Sequence, residues 1–152
     1  MSDKNQNQQY PMHHMLREIL EQPEVVQRLV ERDREPALEV AKLAKSAGIQ
    51  QIVFAARGTS SHAAVYGQYL FQIENHLAAF LATPSVVTLY NSRIPLRNTM
   101  VIGISQSGGA KDVFEYMAAA KELGSPIVAI TNNPNSEFGR LADVVMPIDA
   151  GH

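Results

Sequence analysis

Short apolar runs that alternate with helical stretches constrain this chain most. Five runs of mainly apolar residues are typical of strands, at 49–56, 85–90, 99–105, 126–131 and 143–148. Helix-forming stretches separate them, and the longest are predicted at 60–81 and 110–123, with a short helix at 136–142. Strands that alternate with helices predict βαβ units and therefore a parallel sheet.

Near-continuous apolar strands predict a sheet that is covered by helices on both faces. We therefore expect an α/β fold, a three-layer αβα sandwich around a five-stranded parallel sheet of flavodoxin-like size. Residues 11–48 carry helical periodicity and predict N-terminal helices, with Pro23 and Pro36 each in the first turn of one. Residues 1–10 are polar and predict a disordered tail, so the sandwich itself is expected over 49–152.

Composition excludes several classes of protein. The chain has 152 residues, a formal net charge of −2 and no cysteine. A near-neutral balance argues against nucleic-acid binding, and the lack of cysteine excludes thiolate metal sites and cysteine nucleophiles. No apolar run is long enough for a membrane span. We expect a cytoplasmic protein that uses no metal and no cofactor and contacts neither nucleic acid nor membrane.

Two strand-to-helix turns carry more hydroxyl groups than such turns usually need. The first turn, Gly58–His62, reads G-T-S-S-H, and the second turn, Ser105–Gly109, reads S-Q-S-G-G. In a parallel sheet such turns share one edge, where ligands bind near the change in strand order. Hydroxyls, backbone amides and a helix N-terminus form an anion site, so the two turns together indicate a phosphorylated ligand.

Other interpretations of these turns stay open. Serine and threonine are favoured helix N-caps, so either turn could be a cap alone. Residues 103–107, G-I-S-Q-S, approach the G-x-S-x-G nucleophile elbow but end in serine, and Asp143 or Asp149 and then His152 follow in hydrolase order. No residue stands out as a catalytic base.

Outside the turns, the sequence offers fewer candidates. The 60–81 helix is apolar around much of its circumference, which predicts a subunit interface in preference to deep burial within one chain. Arg57 and Arg93 could contribute positive charge to an anion site. His13 and His14 point in different directions on a helix, so a shared metal is not expected.

The two turns, with the opening run M-H-H-M-L-R-E-I-L-E-Q-P at residues 12–23, resemble the SIS (sugar isomerase) domain family. The resemblance covers about residues 10–152 and is strongest to the first SIS domain in the isomerase part of glucosamine-6-phosphate synthase. It departs at Ala110, where the synthase-type run has a threonine, and at Arg57, where a cysteine is frequent.

The resemblance implies a phosphosugar-binding domain of an isomerase, aminotransferase or deglycase-like protein, or alternatively a non-catalytic phosphosugar sensor. It implies phosphate binding by Ser105, Gln106 and Ser107 and sugar binding by Thr59 and Ser60. Secondary candidates are Gly58, Ser61, His62 and Gly108. It further implies a homodimer or a partner SIS domain, since synthase-like members carry two in tandem. We therefore expect this chain to be the first of two such domains.

Overall fold

A computed structural model describes residues 14–149, and its centre is a sheet of five parallel strands. The strands are β1 Gln51–Ala56, β2 Ala78–Leu81, β3 Thr99–Ile104, β4 Ile127–Thr131 and β5 Val144–Pro147. They lie in the order β2-β1-β3-β4-β5 and all neighbours pair in parallel, so the carboxyl ends of all five strands lie along one edge of the sheet. The predicted disordered tail, His13 and His152 lie outside the described residues.

Helices cover both faces of the sheet. They are α1 His14–Arg32, α2 Arg34–Ser46, α3 Ser60–Glu74, α4 Pro84–Thr88, α5 Lys111–Glu122 and α6 Glu137–Leu141. Ile52 and Phe54 point to one face and pack with α2 and α3, while Val53 and Ala55 point to the other and pack with α4, α5 and α6. Burying each large apolar side chain contributes about 1.5–3 kcal/mol. The predicted three-layer sandwich is confirmed.

One predicted strand is wrong. Residues 85–90 were expected as a strand because they contain a β-branched run, but Pro84–Thr88 form the short helix α4. Pro84 occupies the first turn, where its fixed φ favours a helix start. The second strand is instead Ala78–Leu81, which the sequence had assigned to the end of the preceding helix. That helix ends at Glu74, and His76 follows with a φ of 54°.

The N-terminal helices differ from expectation at one proline. Pro36 lies in the first turn of α2 as predicted, but Pro23 lies inside α1, which continues through it to Arg32. Val25 is the only buried residue of α1. At its end, Arg32 donates to Asp149 Oδ2 at 3.1 Å and to the Pro147 carbonyl at 2.5 Å, which joins α1 to the segment after β5.

Candidate functional site

Strand register brings three turns to one edge of the sheet. Ala56, the last residue of β1, pairs with Ile104, the last residue of β3, and Ile104 also pairs with Ile130 of β4. The turns that follow β1, β3 and β4 therefore lie side by side. The strand order changes direction between β1 and β3, which is where open α/β sheets bind ligands. The two predicted turns are adjacent at that position.

The second turn is hydrogen-bonded to the neighbouring strand β4. Ser105 is only 6% exposed, and its amide donates to the Ile130 carbonyl at 3.0 Å. Its carbonyl accepts from the Gly108 amide at 3.2 Å, which closes the turn. Gly108 has a φ of +69°, a conformation that favours glycine. The Gly109 amide donates to Ser107 Oγ at 3.2 Å, so the Ser107 hydroxyl proton is free for another acceptor.

The helix after this turn presents an uncapped N-terminus. Its N-cap residue is Ala110, which makes no side-chain capping bond, and the first amides of a helix have no carbonyl partner within it. Val113 and Met117 are fully buried and hold α5 against the sheet. Burial also raises the pKa of the Tyr116 phenol on the same helix face. Packing of α5 against the sheet thus fixes the position of its first amides after the turn that contains Ser105 and Ser107.

The first turn has the same chemistry with less support. Its bonds are internal, from the Ser61 amide to the Gly58 carbonyl at 3.0 Å and from the His62 amide to the Thr59 carbonyl at 3.1 Å. Thr59 is the N-cap residue of α3 but makes no side-chain capping bond. Thr59 and His62 are exposed, and Ser60 is half-buried. Simple capping therefore does not account for Thr59, nor for the hydroxyls of the second turn.

An ion pair that the sequence did not reveal connects the residue before the first turn to the helix that follows the second turn. Arg57, directly before the first turn, places Nη1 at 2.7 Å from Asp112 Oδ2 in the first turn of α5. Beside it, Lys111 lies 3.8 Å from Glu115. These four residues line an open depression of about 440 Å³ together with Thr88, Gly109 and Ala110. Both carboxylates in this depression are therefore paired with cations.

The other charged candidates pair with residues outside the two predicted turns. Asp143 precedes β5 at the opposite edge, where it pairs with Lys121 at 3.0 Å, and Asp149 pairs with Arg32. Neither carboxylate is available to a serine hydrolase arrangement at Ser105. Arg93 lies 3.4 Å from Glu122, away from the turns. Within residues 14–149, no three histidine, aspartate or glutamate side chains are grouped so as to hold a metal ion.

The apolar helix α3 is not deeply buried. Tyr66, Tyr69 and Ile73 are 66%, 63% and 61% exposed, and Phe80 and Leu81 of the edge strand β2 are exposed beside them. Burial within one chain is thus the wrong interpretation for these side chains, and the subunit interface stays a prediction. None of the helices described in residues 14–149 has the length and apolar character needed to cross a bilayer.

Comparison with known proteins gives one family. The SIS domain profile matches residues 45–152. A glutamine–fructose-6-phosphate aminotransferase (isomerizing) of Thermococcus kodakarensis is 34% identical over 142 residues, covering 93% of this chain but 23% of the relative. The chain therefore spans under a quarter of that relative's length.

Solved structures share the fold. A candidate phosphosugar isomerase from Silicibacter pomeroyi DSS-3 superposes with a TM-score of 0.85 at 30% identity, over 91% of this chain and 42% of that one. The C-terminal domain of glucosamine-fructose-6-phosphate aminotransferase from Francisella tularensis has a TM-score of 0.78 at 24% identity, over 93% and 41%. The latter likeness supports the fold alone.

Proposed function

Because this chain belongs to the SIS domain family, we propose that it binds the phosphate of a hexose or amino-sugar phosphate at the second turn. The observation that carries this proposal is the uncapped N-terminus of α5 beside Ser105 and Ser107. Ser105, Gln106 and Ser107 would hold the phosphate. Thr59 and Ser60 of the first turn, which follows the neighbouring strand β1, would then contact the sugar.

Calorimetric titration tests this assignment. Fructose 6-phosphate or glucosamine 6-phosphate should bind, while fructose and glucosamine without the phosphate should not, because the phosphate supplies the charge that the helix end attracts. Equal heats for the phosphorylated and unphosphorylated sugars would contradict phosphate recognition at this edge.

Binding and turnover are separate questions. The carboxylates that line the depression, Asp112 and Glu115, are both ion-paired, so no base for proton transfer is assigned. A coupled assay with fructose 6-phosphate and ammonia distinguishes the two candidate functions. Product formation favours an aminotransferase or isomerase domain, whereas tight binding without product at every protein concentration favours a phosphosugar sensor or the binding part of a longer enzyme.

We further propose that the surface formed by α3 and β2 pairs with a second SIS domain, on another copy of this chain or within a longer chain. Its support is the row of exposed apolar side chains at Tyr66, Tyr69 and Ile73. Sedimentation velocity tests the homodimer: Tyr69→Lys should shift it to monomer, while Tyr90→Lys, at a tyrosine that is 78% exposed elsewhere, should not. A monomeric wild type would contradict the homodimer.

A further inference from the structure

A buried threonine after β4 connects the second turn to the neighbouring strand. Thr131 is fully buried, and its Oγ1 donates to the Gln106 carbonyl at 3.3 Å. The same oxygen accepts from the Asn133 amide at 3.2 Å. A hydroxyl that both donates and accepts fixes its own rotamer, so Thr131 links the second turn to the β4–α6 loop in one orientation.

A second hydroxyl continues this connection into α6. Ser136 Oγ donates to the Asn133 carbonyl at 2.6 Å and accepts from the Gly139 amide at 3.1 Å. The peptide groups of Asn133 therefore stand between the two hydroxyls. Gly139 is buried beside Phe138, which is fully buried in the core. The Gln106 carbonyl is thus connected, through the hydroxyls of Thr131 and Ser136, to the buried residue Gly139.

The direction of that carbonyl decides which way the turn faces. Gln106 O also accepts from the Asn132 amide at 2.9 Å, so two donors hold it toward the β4–α6 loop. In a planar trans peptide the carbonyl and the following N–H point in opposite directions. The Ser107 amide consequently points away from the β4–α6 loop.

We propose that Thr131 is a positioning residue for ligand binding: it holds the 106–107 peptide so that the Ser107 amide faces the ligand. This role rests on the proposed function, because it is defined by the phosphate that the second turn would bind. Thr131 itself is fully buried, so it acts through its hydrogen bond to Gln106 and does not contact the ligand.

Three variants isolate the Thr131 hydroxyl. Thr131→Val removes it at nearly constant shape, and Thr131→Ser keeps it. Thr99→Val is the matched control, because Thr99 is also buried and donates to a backbone carbonyl, that of Arg97 at 2.9 Å, but at the opposite edge of the sheet. Fructose 6-phosphate and inorganic phosphate are titrated by calorimetry, and amide hydrogen exchange at Gly108 is followed by NMR without ligand.

Thr131→Val should weaken fructose 6-phosphate and inorganic phosphate binding about tenfold, the effect of about one hydrogen bond to a charged group. Thr131→Ser and Thr99→Val should stay within about twofold of wild type. Without ligand, exchange of the Gly108 amide should accelerate in Thr131→Val alone. A purely structural role would lower the melting temperature of both valine variants and leave affinity unchanged.

Equal affinity in folded Thr131→Val and wild type overturns the proposal, as does equal weakening in Thr99→Val. If Thr131→Val does not fold, Thr131→Ala removes the same hydroxyl donor to the Gln106 carbonyl with a smaller side chain, and unchanged affinity there also overturns the proposal. A wild type that binds no sugar phosphate counts against the proposed function alone, since Gly108 exchange still tests the positioning of the turn: equal exchange in Thr131→Val and wild type rejects it.

Discussion

Both turns are rich in hydroxyl groups, but they differ in the contacts that hold them in place. The first turn closes on itself through two amide–carbonyl bonds and is largely exposed. The second turn begins at a buried serine and is held by β4, by Thr131 and by the packing of Ser136 against Gly108. The number of hydroxyl groups therefore does not distinguish the supported turn from the exposed one. Hydrogen bonds to the neighbouring strand do.

Alanine at the positive-φ glycine of each turn, Gly58 or Gly108, gives the largest contrast. At Gly108 a Cβ would lie 2.3 Å from Ser136 Oγ and 2.8 Å from Ser136 Cβ, in a conformation with a φ of +69°. Strain and overpacking together should cost about 2–5 kcal/mol of unfolding free energy and most of the ligand affinity.

Gly58 has a φ of +59° but nothing within 4 Å of its Cβ position, so Gly58→Ala should cost only about 1–2 kcal/mol. Urea denaturation of the two variants measures the difference. Equal destabilisation would mean that the second turn is no better supported than the first.

Serine-to-alanine changes compare the ligand contacts of the two turns. Ser107→Ala, and likewise Ser105→Ala, should weaken sugar-phosphate binding by about 1.5–3 kcal/mol, the range for a hydrogen bond to a charged group. Ser60→Ala should cost about 0.5–1.5 kcal/mol for a neutral contact with the sugar. Titration with inorganic phosphate separates phosphate contacts from sugar contacts, because its affinity should fall in Ser107→Ala and not in Ser60→Ala. The reverse order would move the phosphate to the first turn.

The missing cap of α5 predicts a gain in stability. Ala110→Thr introduces a hydroxyl at an N-cap residue whose backbone is already extended, with φ −74° and ψ 92°. It should raise the free energy of unfolding by about 0.5–2 kcal/mol. Thr59→Ala at the start of α3 should change little, because Thr59 makes no capping bond. Thermal unfolding without ligand compares the two, and no gain from Ala110→Thr would show that the α5 amides already have partners.

The ion pair between the turns should have the smallest effect. The Arg57 side chain is 72% exposed, so Arg57→Gln should cost about 0.2–1 kcal/mol of stability, less at high salt. A double-mutant cycle with Asp112→Asn isolates the pair. A coupling energy above that range would mean that the first turn depends on α5 for its position.

The sheet was predictable where apolar runs stand between clear helix signals. β1, β3, β4 and β5 fall within their predicted ranges because each lies in a mainly apolar run, and β1, β3 and β4 are followed by polar turns. β2 was missed because its four residues continue the apolar pattern of α3, and only Asn75 and His76 mark the break. Residues 85–90 contain β-branched residues, but Pro84 and packing against α5 favour a helix there.

The position of the two candidate turns was predictable from the sequence, but the contacts that hold them in place were not. Motif content was enough to select both turns, and strand register confirms that they are adjacent. The Arg57–Asp112 pair joins residues 55 positions apart, and Thr131 acts through a backbone carbonyl 25 positions away. Such contacts depend on tertiary geometry. The turns after β1 and β3 were selected because ligands bind at the carboxyl ends of parallel strands, and the same reason applies to the turn after β4.

The exposed helix α1 makes the stability of this chain uneven. Only Val25 is buried along its 19 residues, and its last residue is held mainly by the three polar contacts of Arg32. A segment with so little burial opens locally at a small fraction of the global free energy of unfolding. Among residues 14–149, we therefore expect a protease to cut α1 before it cuts the sheet that carries the three turns.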